Sequence, residues 1–340
     1  MKEEDIQGIL ALLSTPKKIA IIPHRSPDGD AMGSTLGMYH FLLKLGHQPT
    51  VIAPNEFPGF LAWLPSSETV LFYEKDRVHI SKILQESELL FVMDFNAFHR
   101  TGEMENVLNK LTAPFIMIDH HQKPDDFAVY TYSNTALGST CEMLYNFISF
   151  LGKRDLIDKT IATCIYTGIV TDSGSFRFPS TTSSTHRIVA DLIDLGIENG
   201  EIHSAIYDNN SYESLQLLGQ GLQNLRVFPN GKVSYTTLSQ DELDNNNYVK
   251  GDTEGIVNYG LSIKGVIFTA IFIEHNDENI IKISLRSKGD FDVNQLAREH
   301  FNGGGHINAA GGKSTLSMEE TVKKFEQVVT QMNLQTYEIS

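Results

Sequence analysis

The sequence predicts an α/β protein: a doubly wound, mostly parallel sheet domain joined by a linker helix to a smaller, mixed α+β domain. Three observations predict it. Apolar runs of four or five residues alternate with helix-spaced segments through roughly the first half of the chain. The pattern changes after about residue 183, to three helical stretches and then to alternating strands. The 340 residues, 41% of them hydrophobic, amount to about two domains at roughly 150 residues each.

Taken in order, residues 5–14 have the spacing of an amphipathic helix that stops near Pro16. Ile19-Ala20-Ile21-Ile22 is too short for a helix and suits a buried parallel strand. It runs into the polar turn His24-Arg25-Ser26-Pro27-Asp28-Gly29-Asp30, and Ala31 to Leu45 then reads as a helix ended by Gly46. Thr50 to Ala53, Leu89 to Met93 and Pro114 to Ile118 are further short strands, the last two followed by Asp94 and by Asp119-His120-His121. Helices are expected at 137–151 and 157–171, then at 183–195, 198–208 and 211–225. Asn230-Gly231 signals a hairpin turn. Strands follow at 233–238, 265–273 and 279–286, with a helix near 252–262. These readings divide the chain into a first domain at 1–205, a linker helix at 206–225 and a second domain at 226–335.

Charge narrows the function. Lys and Arg number 27 against 42 Asp and Glu, a net charge of −15. So acidic a surface disfavours long duplex nucleic acid, whose binding needs many cations on phosphates. A small anionic substrate is still compatible where bound metal ions reverse the local sign. No apolar run approaches the roughly 18 residues that span a bilayer, and the acidic start Met1-Lys2-Glu3-Glu4-Asp5 does not resemble a targeting peptide. The expectation is a cytoplasmic protein with no membrane partner. Cys141 and Cys164 sit in apolar helical contexts and read as buried thiols in a reducing compartment.

Open parallel sheets bind ligands beyond the carboxyl ends of their strands. At those ends stand His24, Asp28 and Asp30, then Asp94, then Asp119, His120 and His121; Asp172 follows the apolar helix segment Ile165–Val170. Each has an ordinary structural explanation when taken alone, Asp28-Gly29 as a turn and Asp94 or Asp172 as a cap. Their coincidence at successive element ends points to metal. Imidazoles and carboxylates without thiolate suit two divalent ions, Mn²⁺ above all, then Mg²⁺ or Co²⁺. Five carboxylates with two or three imidazoles exceed what one cation needs and would repel one another without cations among them.

His24-Arg25-Ser26-Pro27-Asp28-Gly29-Asp30-Ala31, Asp94, Asp119-His120-His121 and Asp172 resemble, in order and spacing, the four motifs of the DHH phosphoesterase superfamily. Ser284-Leu285-Arg286-Ser287 and Gly303-Gly304-Gly305-His306-Ile307-Asn308-Ala309-Ala310-Gly311 resemble its DHHA1 substrate-binding domain. The likeness covers nearly the whole chain and is nearest to the bacterial nanoRNase and pAp-phosphatase group. It implies that His24 and Asp28 hold one metal, that Asp30 and His120 hold the other, that Asp94 bridges them and that Asp172 completes the site. Asp119 would orient its neighbours, and His121 would face the scissile phosphate or the leaving oxygen. Where the family often has four glycines before the histidine, this chain has Asn302 first, a residue that tolerates positive φ.

For Gly303, Gly304, Gly305 and His306, the expected reason is close backbone approach to a phosphate beside a directional donor. Arg286, with Ser287 beside it, follows a strand and can grip a phosphate with two parallel bonds. Phe268, Phe291, Phe301 and Tyr259 are expected mostly in the core, with base stacking as the alternative. His186, at a helix start, is a secondary candidate. The resemblance thus implies a metal-dependent hydrolase of short oligoribonucleotides or pAp, with domain closure around the substrate and a homodimer compatible with it. The alternatives are a phosphodiesterase for cyclic dinucleotides or linear pApA and, in another class, a non-catalytic nucleotide-binding module. A pyrophosphatase is disfavoured by the glycine loop, and a RecJ-like DNA exonuclease by the acidic charge.

Overall fold

The computed structural model describes residues 1–332 and Leu334. The chain forms two compact units that meet in sequence at Asn209 and Asn210.

The first unit is built on six strands: β1 (Lys18–Ile22), β2 (Gln48–Ala53), β3 (Leu71–Phe72), β4 (Leu89–Met93), β5 (Phe115–Asp119) and β6 (Tyr130–Ser133). They lie in the order β3-β2-β1-β4-β5-β6, and every pair is parallel. Its helices are α1 (Glu3–Leu12), α2 (Gly29–Lys44), α3 (Arg77–Glu86), α4 (Glu105–Leu108), α5 (Thr140–Phe150), α6 (Lys159–Asp172), α7 (Ser183–Asp194) and α8 (Asn199–Tyr207). The strands are continuous apolar runs because both faces of the sheet are covered. Ile19, Ile21 and Phe91 join one buried cluster with Phe41, Phe147 and Ile165. The alternate residues Ala20, Ile22, Leu90 and Val92 join a second with Leu84, Phe95 and Met117.

Strand order reverses between β1 and β4, so a crevice opens at their carboxyl ends. The turns that carry His24, Asp94 and the 119–121 triplet all leave the sheet there or one strand further on. Within this unit the structure adds β3, β6, α3 and α4 to the elements expected from sequence. β3 has only two residues, and the edge strand β6 buries only Tyr132, so neither presents an apolar run.

The second unit contains α9 (Tyr212–Asn224), β7 (Arg226–Val227), β8 (Val233–Leu238), α10 (Gln240–Asn245), α11 (Ile256–Ser262), β9 (Phe268–His275), β10 (Ile280–Ser287), α12 (Val293–His300), β11 (Gly304–Gly305), β12 (Ala309–Ser314) and α13 (Met318–Gln331). Its mixed sheet runs β11-β12-β10-β9-β8-β7, with only β8 and β9 parallel. β7 and β8 turn back on one another through Asn230-Gly231, with Gly231 at φ +68°. Phe268, Phe291, Phe301 and Phe325 fill its core, and the Phe268 and Phe291 rings stack 4.4 Å apart. Tyr259 alone of the four candidate aromatics is exposed.

The stretch expected as a linker helix belongs instead to the body of this unit. Leu217 of α9 is fully buried with Leu238, Leu243 and Ile271, and Asn224 donates to the Thr237 carbonyl. Its apolar stripe needed a partner, and the second sheet supplies one. Among the described residues no helix is long and apolar enough to cross a membrane.

Candidate metal centre

Eight candidate residues of the first unit converge at the switch point, around Asp94. This residue follows β4 in the left-handed backbone region, at φ +65°, a conformation that Asp tolerates better than most residues. Its two carboxylate oxygens face different neighbours. Oδ2 lies 3.4 Å from His24 Nε2, and Oδ1 lies 3.5 Å from His120 Nε2.

On one side, His24 Nε2 is 3.8 Å from Asp28 Oδ2. Asp28 also caps α2, its Oδ1 accepting from the amides of Asp30 and Ala31. The cap reading and the site reading of this residue are therefore compatible, one oxygen for each. On the other side, His120 Nε2 is 3.3 Å from Asp172 Oδ2 and 3.8 Å from Asp30 Oδ2. His24-Asp28-Asp94 and Asp30-His120-Asp172 each form a group whose donor atoms lie close enough to share one cation.

The ring orientations suit ligation. His24 Nδ1 faces the Arg25 carbonyl at 2.9 Å, and His120 Nδ1 faces the Leu137 carbonyl at 3.3 Å. Carbonyls only accept, so each Nδ1 carries the proton and each Nε2 points at the carboxylates. His121 is held differently. Its Nδ1 donates to Asp119 Oδ1 at 2.6 Å, and its amide donates to Asp119 Oδ2 at 2.9 Å.

The charges show what the centre needs. Burial, with the Asp94 charge added, pushes Asp30 up to about 8. Burial and the Asp30 charge likewise hold Asp172 well above the carboxylate range. Burial also disfavours ionised Asp94, but hydrogen bonds from His120 and His24 outweigh it and hold Asp94 well below that range. The imidazole of His120 is raised well above its usual value despite burial, by Asp94 and Asp172; that of His24 is raised in the same way, by Asp94 and Asp28. Burial holds His121 low and neutral. Carboxylates crowded enough to take up protons, against imidazoles with their lone-pair atoms turned inward, fit divalent cations, which would replace those protons.

Two supporting groups carried no sequence expectation. Ser139 caps α5, and the first amides of that helix, from Thr140 and Cys141, donate to Asp30 Oδ2 at 2.6 Å and Oδ1 at 2.8 Å. The Thr140 hydroxyl donates to Asp94 Oδ1 at 2.9 Å. Ser139-x-x-Glu142 has the spacing of a helix start and could have located this support. Both cysteines are free and buried. His186 lies on α7 with its ring 5.5 Å from that of Phe176.

The second unit places its candidates as follows. Arg286, half-buried on β10, donates through Nη1 to the Leu285 carbonyl. Ser287 is buried, its hydroxyl donating to the Phe291 carbonyl at 2.6 Å and accepting from Asn308. Asn302 takes positive φ, +48°. The Gly303 amide donates to the Ala297 carbonyl, the Gly305 amide to Asn294 Oδ1 and the His306 amide to the Ala309 carbonyl. A methyl on Gly303 would strike the Gly311 carbonyl, and one on Gly305 would strike that of Ala309. Gly303 and Gly305 are thus required where this run presses on β12. Three of the loop's amides find partners inside the unit.

An all-parallel sheet with an imidazole–carboxylate centre at its switch point, followed by a mixed-sheet unit, defines a two-unit α/β protein with a candidate metal centre. Family models match in the same order: the DHH family, N-terminal domain, over residues 18–169 and the DHHA1 domain over residues 230–332. The bifunctional oligoribonuclease and PAP phosphatase NrnA of Thermus thermophilus is 30% identical over 316 residues, 92% of this chain and 88% of that protein. The NrnA of Bacillus subtilis is 27% identical over 305 residues, 89% of this chain and 91% of that one. The chain belongs to the DHH family, with a DHHA1 second domain. Among solved structures, an exopolyphosphatase-related protein from Bacteroides fragilis is 40% identical with a TM-score of 0.93, covering 97% and 96% of the two chains. RecJ with Mn²⁺ from Thermus thermophilus, 13% identical, shares the fold at a TM-score of 0.54 over 98% of this chain and 55% of that one. These matches bear out the fold class and the family resemblance read from the motifs.

Proposed function

We propose that this protein hydrolyses phosphoester bonds in short oligoribonucleotides and in pAp, using two divalent ions, Mn²⁺ first among them. The observation that carries the reading is Asp94, whose two oxygens each face a separate imidazole–carboxylate group. His24 and Asp28 would hold one ion and Asp30, His120 and Asp172 the other, with Asp94 shared between them. Ions so held would supply an acidified bound water and charge neutralisation at the attacked phosphoryl group.

The chain's own groups supply the rest. The Arg25 and Leu137 carbonyls fix the tautomers of His24 and His120. The α5 amides fix Asp30. Asp119, raised to about 6 chiefly by burial, is largely ionised at neutral pH. It keeps the His121 proton on Nδ1, so Nε2 is left able to accept a proton at the reacting phosphate. On the second unit, Arg286 and His306 are the proposed terminal-phosphate contacts, with Ser287, Gly303, Gly304 and Gly305 shaping the loop that carries them. The names of the 30% and 27% identical relatives support this substrate class. So does the completeness of the centre, which a non-catalytic binding module would not need.

The test is incubation of the purified protein and Mn²⁺ with labelled dinucleotides, pAp and pApA. Product from dinucleotide or pAp is expected, and no product from either overturns the reading. Asp94→Asn should abolish turnover while leaving the circular dichroism spectrum unchanged. Full activity in that variant would remove the shared-ligand role.

A further inference from the structure

The turn that follows Asp94 carries a cation, Arg100, beside the turn of His24. Phe98–Met104 is a run of 3₁₀ turns, and Arg100 within it is half-buried. Its main chain is fixed at the end of β1. The Arg25 amide donates to the Arg100 carbonyl at 2.8 Å, and the Arg25 carbonyl in turn takes the Nδ1 proton of His24. The arginines nearby are neutralised, Arg25 by Glu74 at 3.1 Å and Arg77 by Glu103. Arg100 is not. Among the described residues it has neither a side-chain hydrogen bond nor a carboxylate within ion-pair distance.

The charge of Arg100 is felt inside the centre. It disfavours the protonated forms of His24 and His121 and favours ionised Asp119. These three groups, and the Arg100 main chain that stands two hydrogen bonds from the His24 ring, all lie at or beyond the carboxyl ends of β1, β4 and β5. A half-buried guanidinium without a partner is costly, and beside cation-binding residues it is also repelled whenever metal binds. An anion placed over the metals offsets both costs, as fixed donors do where negative charge develops.

We propose that Arg100 is the anion-binding guanidinium of the metal unit, donating to a non-bridging oxygen of the phosphoryl group under attack. The assignment rests on the phosphoesterase reading for its substrate, and its chemical class is a phosphate mono- or diester. Arg100 is then a catalytic residue, supplied by the unit that also holds the metals and independent of Arg286.

The test is calorimetric titration of inorganic phosphate into the Mn²⁺-loaded full chain, comparing the native protein with Arg100→Gln and Arg100→Lys. Manganese is titrated into the metal-free proteins in parallel. Losing a charge-assisted bond to phosphate should weaken phosphate binding by about ten- to a hundredfold in Arg100→Gln. Arg100→Lys, a point charge without the planar fork, should fall between the two. Manganese affinity should be unchanged or tighter in Arg100→Gln, because a repelling cation has gone; a merely structural arginine predicts the opposite. Native-like phosphate affinity in Arg100→Gln, or phosphate and manganese affinities falling together, overturns the assignment. Phosphate titration needs no turnover, so absence of hydrolysis in the native protein overturns the functional reading alone.

Discussion

Thr140→Val tests whether the start of α5 governs the metal centre. Thr140 is fully buried, and its hydroxyl gives the 2.9 Å bond to Asp94 Oδ1 while its amide holds Asp30. Valine keeps the side-chain volume and the amide but removes the hydroxyl. A hydrogen bond to an ionised acceptor contributes about 1.5–3 kcal/mol. In a unit of this size each 1 kcal/mol shifts Tm by about 2–4 °C, so a fall of about 3–12 °C is expected for the metal-free protein. Manganese affinity should drop by about 10–100-fold, as when an outer partner of a metal ligand is removed. Scanning calorimetry with and without Mn²⁺, together with manganese titration, reads both quantities. Thr140→Ser should retain near-native affinity because it keeps the donor. The reasoning is refuted if Thr140→Val binds Mn²⁺ like the native protein. It also fails if Thr140→Ser, which keeps the donor, is as impaired as valine.

Two further outcomes follow from the same centre. Asp30, raised to about 8, holds a proton at neutral pH that a cation must displace, and His120 and Asp172 are raised as well; apparent Mn²⁺ affinity should therefore rise from pH 6 to pH 8, by up to about tenfold per unit for each proton released. Asp30 has its folded value raised from 3.8 to about 8, so the metal-free unit loses that contribution to stability as pH climbs through this window; the Tm gain on adding Mn²⁺ should be larger at pH 8 than at pH 6, and an equal gain would contradict the assignment. Gly168→Ala puts a methyl against Cys141 Sγ and 2.7 Å from Asp30 Oδ1; overpacking costs about 1–3 kcal/mol against a helix-propensity gain of about 1 kcal/mol, so stability should fall by about 0–2 kcal/mol while Mn²⁺ binding falls sharply, which titration beside a thermal melt would check.

Most of the first unit was legible in the sequence because parallel strands buried on both faces must be written as short apolar runs, and these ones end in the polar residues of the site. Ile19–Ile22, Leu89–Met93 and the run ending at Ile118 are strands in the structure, or lie within one residue of the strand bounds. Elements without such a run were hidden, as with the edge strand Tyr130–Ser133 and the two-residue β3. The helix read as a linker was rightly read as helical. Its spacing could not say which surface would cover Leu217, and that proved to be the second sheet.

The sequence by itself determined the two-unit α/β architecture and the eight imidazole and carboxylate residues of the centre, because residue type and position at element ends are local properties. Only the tertiary structure decided how they are used. It divided the Asp94 oxygens between His24 and His120, turned the helix start at Thr140 onto Asp30 and tied the Arg100 main chain to the turn of His24. It also gave Gly303 and Gly305 their reason, the pressure of their run on β12. Distances and orientations between groups up to 150 residues apart in sequence arise from how the helices and strands pack, and no local pattern encodes them.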